Sequence, residues 1–95
     1  MEQQETKQVQ TIKLIVLTNQ SKLISQIEEV GADIGEPDCK LVKPYEVILG
    51  EGGKLFLTRW LEGFTPDDTF MMSSDKILTL AEPTQQILDS YKGQI

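Results

Sequence analysis

The run Thr11–Thr18 (TIKLIVLT) is apolar at every interior position except Lys13. In an extended chain Ile12, Leu14 and Val16 fall on one face, and Ile15 and Leu17 on the other. A strand that is apolar on both faces has to be covered from both sides. This segment therefore predicts a strand buried on both sides, and the rest of the chain has to supply the cover.

Asn19-Gln20-Ser21 reads as a turn, and Lys22–Val30 (KLISQIEEV) as a second strand. Its alternation is imperfect and helix propensity competes, but the short, hairpin-like turn before it favours a strand. Gly31–Asp38 (GADIGEPD) holds glycines and a proline and reads as a loop. Cys39–Leu49 (CKLVKPYEVIL) is expected as a third strand, with Leu41, Tyr45, Val47 and Leu49 on one face and Lys43 among them. Pro44 withholds one ladder N–H and marks an edge or a bulge. Gly50–Gly53 is a tight hairpin turn, Lys54–Leu61 (KLFLTRWL) a fourth strand, and Glu62–Asp68 a loop around Thr65-Pro66-Asp67. Thr69–Met72 and Lys76–Leu80 are two short strands joined by Ser73-Ser74-Asp75, read as a terminal hairpin. Pro83 fits the first position of a helix that runs to about Lys92 and stops at Gly93. Ile87, Leu88 and Tyr91 form its apolar stripe. Strands recurring at about ten-residue spacing with short turns predict a mainly β fold, a strongly bent sheet or small barrel with a C-terminal helix. The Gln/Glu-rich stretch 1–10 reads as a flexible polar tail ahead of one domain over 11–95.

Charge and composition exclude several function classes. Fifteen Asp and Glu against nine Lys and Arg give a net charge of −6, which argues against indiscriminate binding to nucleic acid or an anionic membrane. A single cysteine, Cys39, excludes an intrachain disulfide framework. No apolar run reaches the ~20 residues of a membrane helix, and the N-terminus lacks the apolar core of a signal peptide. A soluble, cytoplasmic protein is expected.

The chain has no histidine, which removes the commonest general base and metal ligand together. Cys39 has no partner for a zinc site and is expected as a small buried hydrophobe. Gly50-Glu51-Gly52-Gly53-Lys54 lacks the spacing of a phosphate loop, and Leu55 stands where magnesium binding needs Ser or Thr. Glu28, Glu29, Asp33, Glu36 and Asp38 do not match a calcium loop and read as a solvated acidic face. No enzyme activity, cofactor or metal is expected. Lys40, Lys43, Tyr45, Lys54, Arg59, Trp60 and Lys76 mix cations with aromatics on strands, the mix that binds single-stranded nucleic acid by phosphate neutralisation and base stacking.

The order strand, short turn, strand, loop, strand, hairpin, strand, very short link, last strand resembles that of Sm and Sm-like proteins. Phe70-Met71-Met72-Ser73-Ser74-Asp75-Lys76-Ile77-Leu78 is similar to the second Sm motif, an apolar strand, a three-residue link that is usually Arg-Gly-Asn/Asp, and another apolar strand. Asp75 keeps its place, while Ser73 stands for the arginine and Ser74 for the glycine. Ile24-Ser25-Gln26-Ile27 resembles the second strand of the first Sm motif, with Ser25 in place of its glycine. The loop 31–38 is longer than the family's and lacks its asparagine and methionine. The resemblance implies a strongly bent five-stranded open barrel. It also implies a homo-oligomeric ring in which the fourth strand of one copy pairs with the fifth of the next. It implies single-stranded RNA or DNA binding as well. With the family's arginine and asparagine missing, that binding is expected to be weaker, or to shift from Ser73, Ser74 and Asp75 toward Lys40, Lys43, Tyr45, Arg59 and Lys76. A ring that contacts only other proteins is the alternative the residues leave open.

Overall fold

A computed structural model of the protein describes residues 11–95, and the tail expected over 1–10 lies outside the described residues. The chain forms β1 (Ile12–Leu17), β2 (Lys22–Glu29), β3 (Cys39–Leu49), β4 (Leu55–Arg59), β5 (Thr69–Met72), β6 (Ile77–Ala81) and α1 (Gln85–Gln94), with short helical turns at Glu51–Gly53 and Ser74–Lys76. The sheet is antiparallel throughout and ordered β4-β3-β2-β1-β6, with β5 also on β3.

The six strands read from the residues are present, and the five implied by the resemblance correspond to them only if β4 and β5 are counted as one interrupted strand. Both β4 and β5 lie on the edge of β3 that β2 leaves free: β4 pairs with Tyr45–Leu49 and β5 with Cys39–Val42. Residues 60–68 stand opposite Lys43 and Pro44 alone. The expected fourth strand stops at Arg59 because Leu61 takes a left-handed conformation, with φ of 63°.

The terminal hairpin expected over 69–80 does not form. β5 pairs with β3 and β6 with β1, so the link 73–76 joins opposite ends of the sheet. A flat sheet would hold those ends about 19 Å apart, at roughly 4.8 Å per strand. A four-residue link containing a helical turn spans about 14 Å at most. The sheet is therefore strongly curved, and packing agrees: Met72 of β5 and Ile77 of β6 both rest on the same buried cluster of Ile15, Leu17, Leu23 and Leu41.

The other face holds a second cluster, Ile24, Val47 and Tyr91, with Ile12, Leu14, Tyr45 and Ile87 packed on it. β1 thus feeds a core from each face, Ile15 and Leu17 inward and Ile12 and Leu14 toward α1, as its composition requires. The expected common face of Leu41, Tyr45 and Val47 is a different matter. Ile24 pairs with Tyr45 but Gln26 pairs with Val42, so Ser25 alone faces Lys43 and Pro44. That one-residue bulge turns β3 over, and Leu41 joins the inner cluster while Val47 joins the one under the helix. Pro44 sits at the bulge, where its missing N–H breaks no ladder bond.

In α1 Ile87 and Tyr91 of the expected stripe pack on the sheet, with Tyr91 fully buried, while Leu88 is half-buried. The helix starts later than expected. Thr84 is its N-cap, accepting a hydrogen bond from the Ile87 N–H at 3.2 Å, and Pro83 lies before the cap. Gly93 does not stop the helix but lies within its last turn. No helix among the described residues is long and apolar enough to cross a membrane.

Candidate functional site

The bulge of β3 and the break between β4 and β5 face each other and open a notch in the sheet. Lys43 holds φ of 55° and Leu61 φ of 63°, two non-glycine residues in the left-handed region on either side of it. Three hydrogen bonds hold the backbone there. Lys43 N–H donates to the Asp68 carbonyl at 2.6 Å, Trp60 N–H to the Pro44 carbonyl at 2.9 Å, and the Tyr91 hydroxyl to the Lys43 carbonyl at 2.7 Å. Burial pushes the Tyr91 phenol up to about 12, so it remains a donor at any physiological pH. The notch is a cavity of about 190 Å³ lined by Lys43, Tyr45, Arg59 and Trp60 with Asp67, Asp68 and Phe70. The Arg59 guanidinium lies 3.4–3.5 Å from the carbonyls of Pro66 and Asp67. Trp60 meets Phe70 edge to face at 5.3 Å, and Tyr45 meets Tyr91 at 5.8 Å. Lys43, Tyr45 and Arg59, separate in sequence, are thus brought together.

Ser73, Ser74, Asp75 and Lys76 form a second group on the link between β5 and β6. Asp38 reaches it from the end of the long loop: its carboxylate accepts from the Ser74 N–H at 2.7 Å and from the Ser74 hydroxyl at 2.8 Å. These two donors hold the Asp38 carboxyl below its ordinary value. Asp75 accepts from the Ser73 hydroxyl at 2.6 Å. The loop 31–38 and the link 73–75, the two segments the sequence resemblance pairs in one binding site, are therefore in direct contact. The chemistry at that contact is acidic, however, because Asp38 and Asp75 take up the serine donors. Within the acidic run 28–38 no local signal distinguishes Asp38 or points from it to Ser74.

Lys40 belongs to neither group. It stands on β3 between Glu28 of β2 and Met71 of β5, so a carboxylate is its cross-strand neighbour. Lys76 is exposed on the link. Cys39 is buried, and burial together with Asp38 and Glu29 pushes its thiol up, which keeps it an unreactive core group. The described residues contain no group of three or more side chains placed to hold a metal ion. A wider, mostly apolar groove of about 700 Å³ opens beside the link, with Ile27, Cys39, Ile77 and Leu80 along it and Ser74 at its rim.

Residues 10–95 match the model of a family described as a family of unknown function, DUF6561. No curated protein matches the chain.

Proposed function

We propose that this chain, which belongs to the DUF6561 family, is a non-catalytic, Sm-like small barrel that forms a homo-oligomeric ring and holds single-stranded RNA or DNA. The observation that carries the reading is the course of the chain through the link 73–76. A single short helical turn connects the two ends of the sheet, and Met72 and Ile77 on either side of it share one core. With β4 and β5 counted as one interrupted strand, the order is that of a five-stranded bent barrel whose last strand returns to the first.

The free edges of the sheet support the ring. β6 pairs only with β1, and β4 and β5 pair only with β3, which leaves one hydrogen-bonding edge free at each end of the described sheet. Both edges carry exposed apolar side chains: Leu78 (60% exposed) and Leu80 on β6, Met71 (51%) on β5 and Phe56 on β4. Free apolar edges in a small β domain invite pairing with another chain, and head-to-tail pairing of two different edges makes a ring when the rotation between copies closes. Nucleic-acid binding is supported by the gathering of Tyr45, Trp60 and Phe70 at one notch beside Lys43 and Arg59, an aromatic wall on which a base can stack.

The test is fluorescence anisotropy with oligo-U and oligo-dT at low and moderate salt, on material whose mass is read by light scattering after size exclusion. Micromolar affinity that falls with salt, on an oligomer, supports the reading; a monomer that binds neither oligonucleotide at low salt sinks it. One observation favours a second reading. The carboxylate of Asp38 occupies the Ser74 donors at the contact between loop and link, and a ring with that acidic surface suits a protein partner. A pulldown enriched in protein and insensitive to nuclease would favour it.

A further inference from the structure

We propose that the notch between β4 and β5 is a pocket for a single unpaired nucleobase; this rests on the single-stranded nucleic acid reading above. Its location differs from the loop-and-link contact at Asp38 and Ser74, which the sequence resemblance singles out.

Three observations on the notch converge. The first is strain. Lys43 in its lining and Leu61, which follows the lining residue Trp60, are held in left-handed conformations though neither is glycine, and the hydrogen bonds of Asp68, Trp60 and Tyr91 hold the bulge in place. Strained backbone that the surroundings fix in this way clusters at functional sites, and bulges re-aim side chains next to them. The second is size. At about 190 Å³ the cavity is smaller than the roughly 300–1,000 Å³ of a typical small-molecule site, so it admits one ring system and not a whole nucleotide. The third is charge. Lys43 and Arg59 are balanced by Asp67 and Asp68 in the same lining, which disfavours a phosphate, and the C-terminal end of α1, with Gln94 and Ile95 against the cavity, adds negative dipole. What remains is an uncharged, planar, polar group. Tyr45, Trp60 and Phe70 supply aromatic wall, and the Lys43 ammonium and the Asp67 and Asp68 carboxylates supply donors and acceptors for the edge of a base. The phosphates of the same strand would stay outside.

Trp60 is the chain's single tryptophan; it lines the notch and also packs on the inner cluster, so its indole N–H gives one resolved resonance at the pocket wall. The full chain is titrated with a short oligo-dT and with an abasic oligonucleotide of equal length and charge. Oligo-dT is expected to shift the Trp60 resonance. The abasic strand is expected to bind about tenfold more weakly, the loss of one stacked base, and to leave that resonance in place. Trp60→Leu should bring oligo-dT down to the abasic level without changing abasic binding. Should that variant lose its fold by circular dichroism, the wild-type resonance decides. If both strands bind equally well and the Trp60 resonance stays fixed, the notch is not a base pocket, while the nucleic-acid reading stands. If neither strand binds at low salt, the reading falls and the pocket with it.

Discussion

The hydroxyl of Tyr91 donates to the carbonyl of Lys43 at 2.7 Å and lies 3.3 Å from that of Val42, tying α1 to the bulge of β3. The bulge leaves Lys43 without a ladder partner on β2, and the ring that brings the hydroxyl is itself fully buried. Tyr91→Phe keeps the ring and removes the donor. It should lower stability by about 1–3 kcal/mol, the cost of leaving a buried acceptor unpaired. Urea unfolding would show a lower midpoint with an unchanged slope.

The same tyrosine sets an alkaline limit. Its native value of about 12 lies above its ordinary value of 10, so the folded state favours the protonated phenol. The stabilisation is complete below pH 10 and is lost as pH rises toward 12, by about 2–3 kcal/mol in total. Thermal melts from pH 8 to 12 should show a fall in melting temperature over that window. Tyr91→Phe should remove this part of the fall.

Ser25 faces the bulge from β2. It is fully buried, and its hydroxyl lies 2.8 Å from the Gln26 carbonyl and 3.1 Å from that of Val42, with one proton shared between them. A small residue is needed where the sheet bends, and a hydroxyl is the smallest group that also satisfies a bulge carbonyl. Ser25→Ala should cost about 1 kcal/mol, and Ser25→Leu about 1–3 kcal/mol by overpacking. An order that places alanine below leucine in stability would refute the steric part of this account.

Asp38 and Ser74 form a latch whose pH dependence has the opposite sign. The native state favours the ionised carboxylate, so the latch is whole above the ordinary value of 3.8 and opens as pH falls below it. Asp38→Asn should speed amide exchange at Ser74 and leave Ile24, in the core under the helix, unchanged. Carboxyl NMR should place the Asp38 midpoint below 3.8.

These relationships mark where the sequence was readable. Local signals sufficed for the strands and turns: the two-faced run at 12–17, the glycines at 50–53, and Pro44 as a bulge or edge. Longer-range effects were not readable. Nothing in CKLVKPYEVIL says that Lys43 turns left-handed and sends Leu41 and Val47 to different cores, because the bulge is fixed by Asp68, Trp60 and Tyr91 from elsewhere in the chain. The expected hairpin over 69–80 failed for a related reason. A short link between two strands reads as a hairpin locally, and only the curvature of the whole sheet makes it a bridge between its ends. At the site, Lys43, Tyr45 and Arg59 were identifiable as residue types, but their meeting at one notch depends on the interruption at 60–68. Thr84 as N-cap could have been read from its position before Gln85, had Pro83 not supplied a competing start.

The proposed ring has a sharp consequence at Leu78. On β6, Ile77, Thr79, Leu80 and Ala81 have cross-strand partners on β1, but the register shifts at Leu78, which is left without one and 60% exposed. It belongs to neither buried cluster, so a change there should leave the fold within about 0.5 kcal/mol of the original. A lysine on an edge strand discourages pairing with a second chain, since its charge would be desolvated in the new ladder. Leu78→Lys should therefore turn the oligomer into a monomer in light scattering, with the circular dichroism spectrum preserved. An unchanged mass would show that β6 is not the joining edge. A wild-type chain that is already monomeric at micromolar concentration would show that the apolar edges of β5 and β6 stay free, and the ring would have no physical basis.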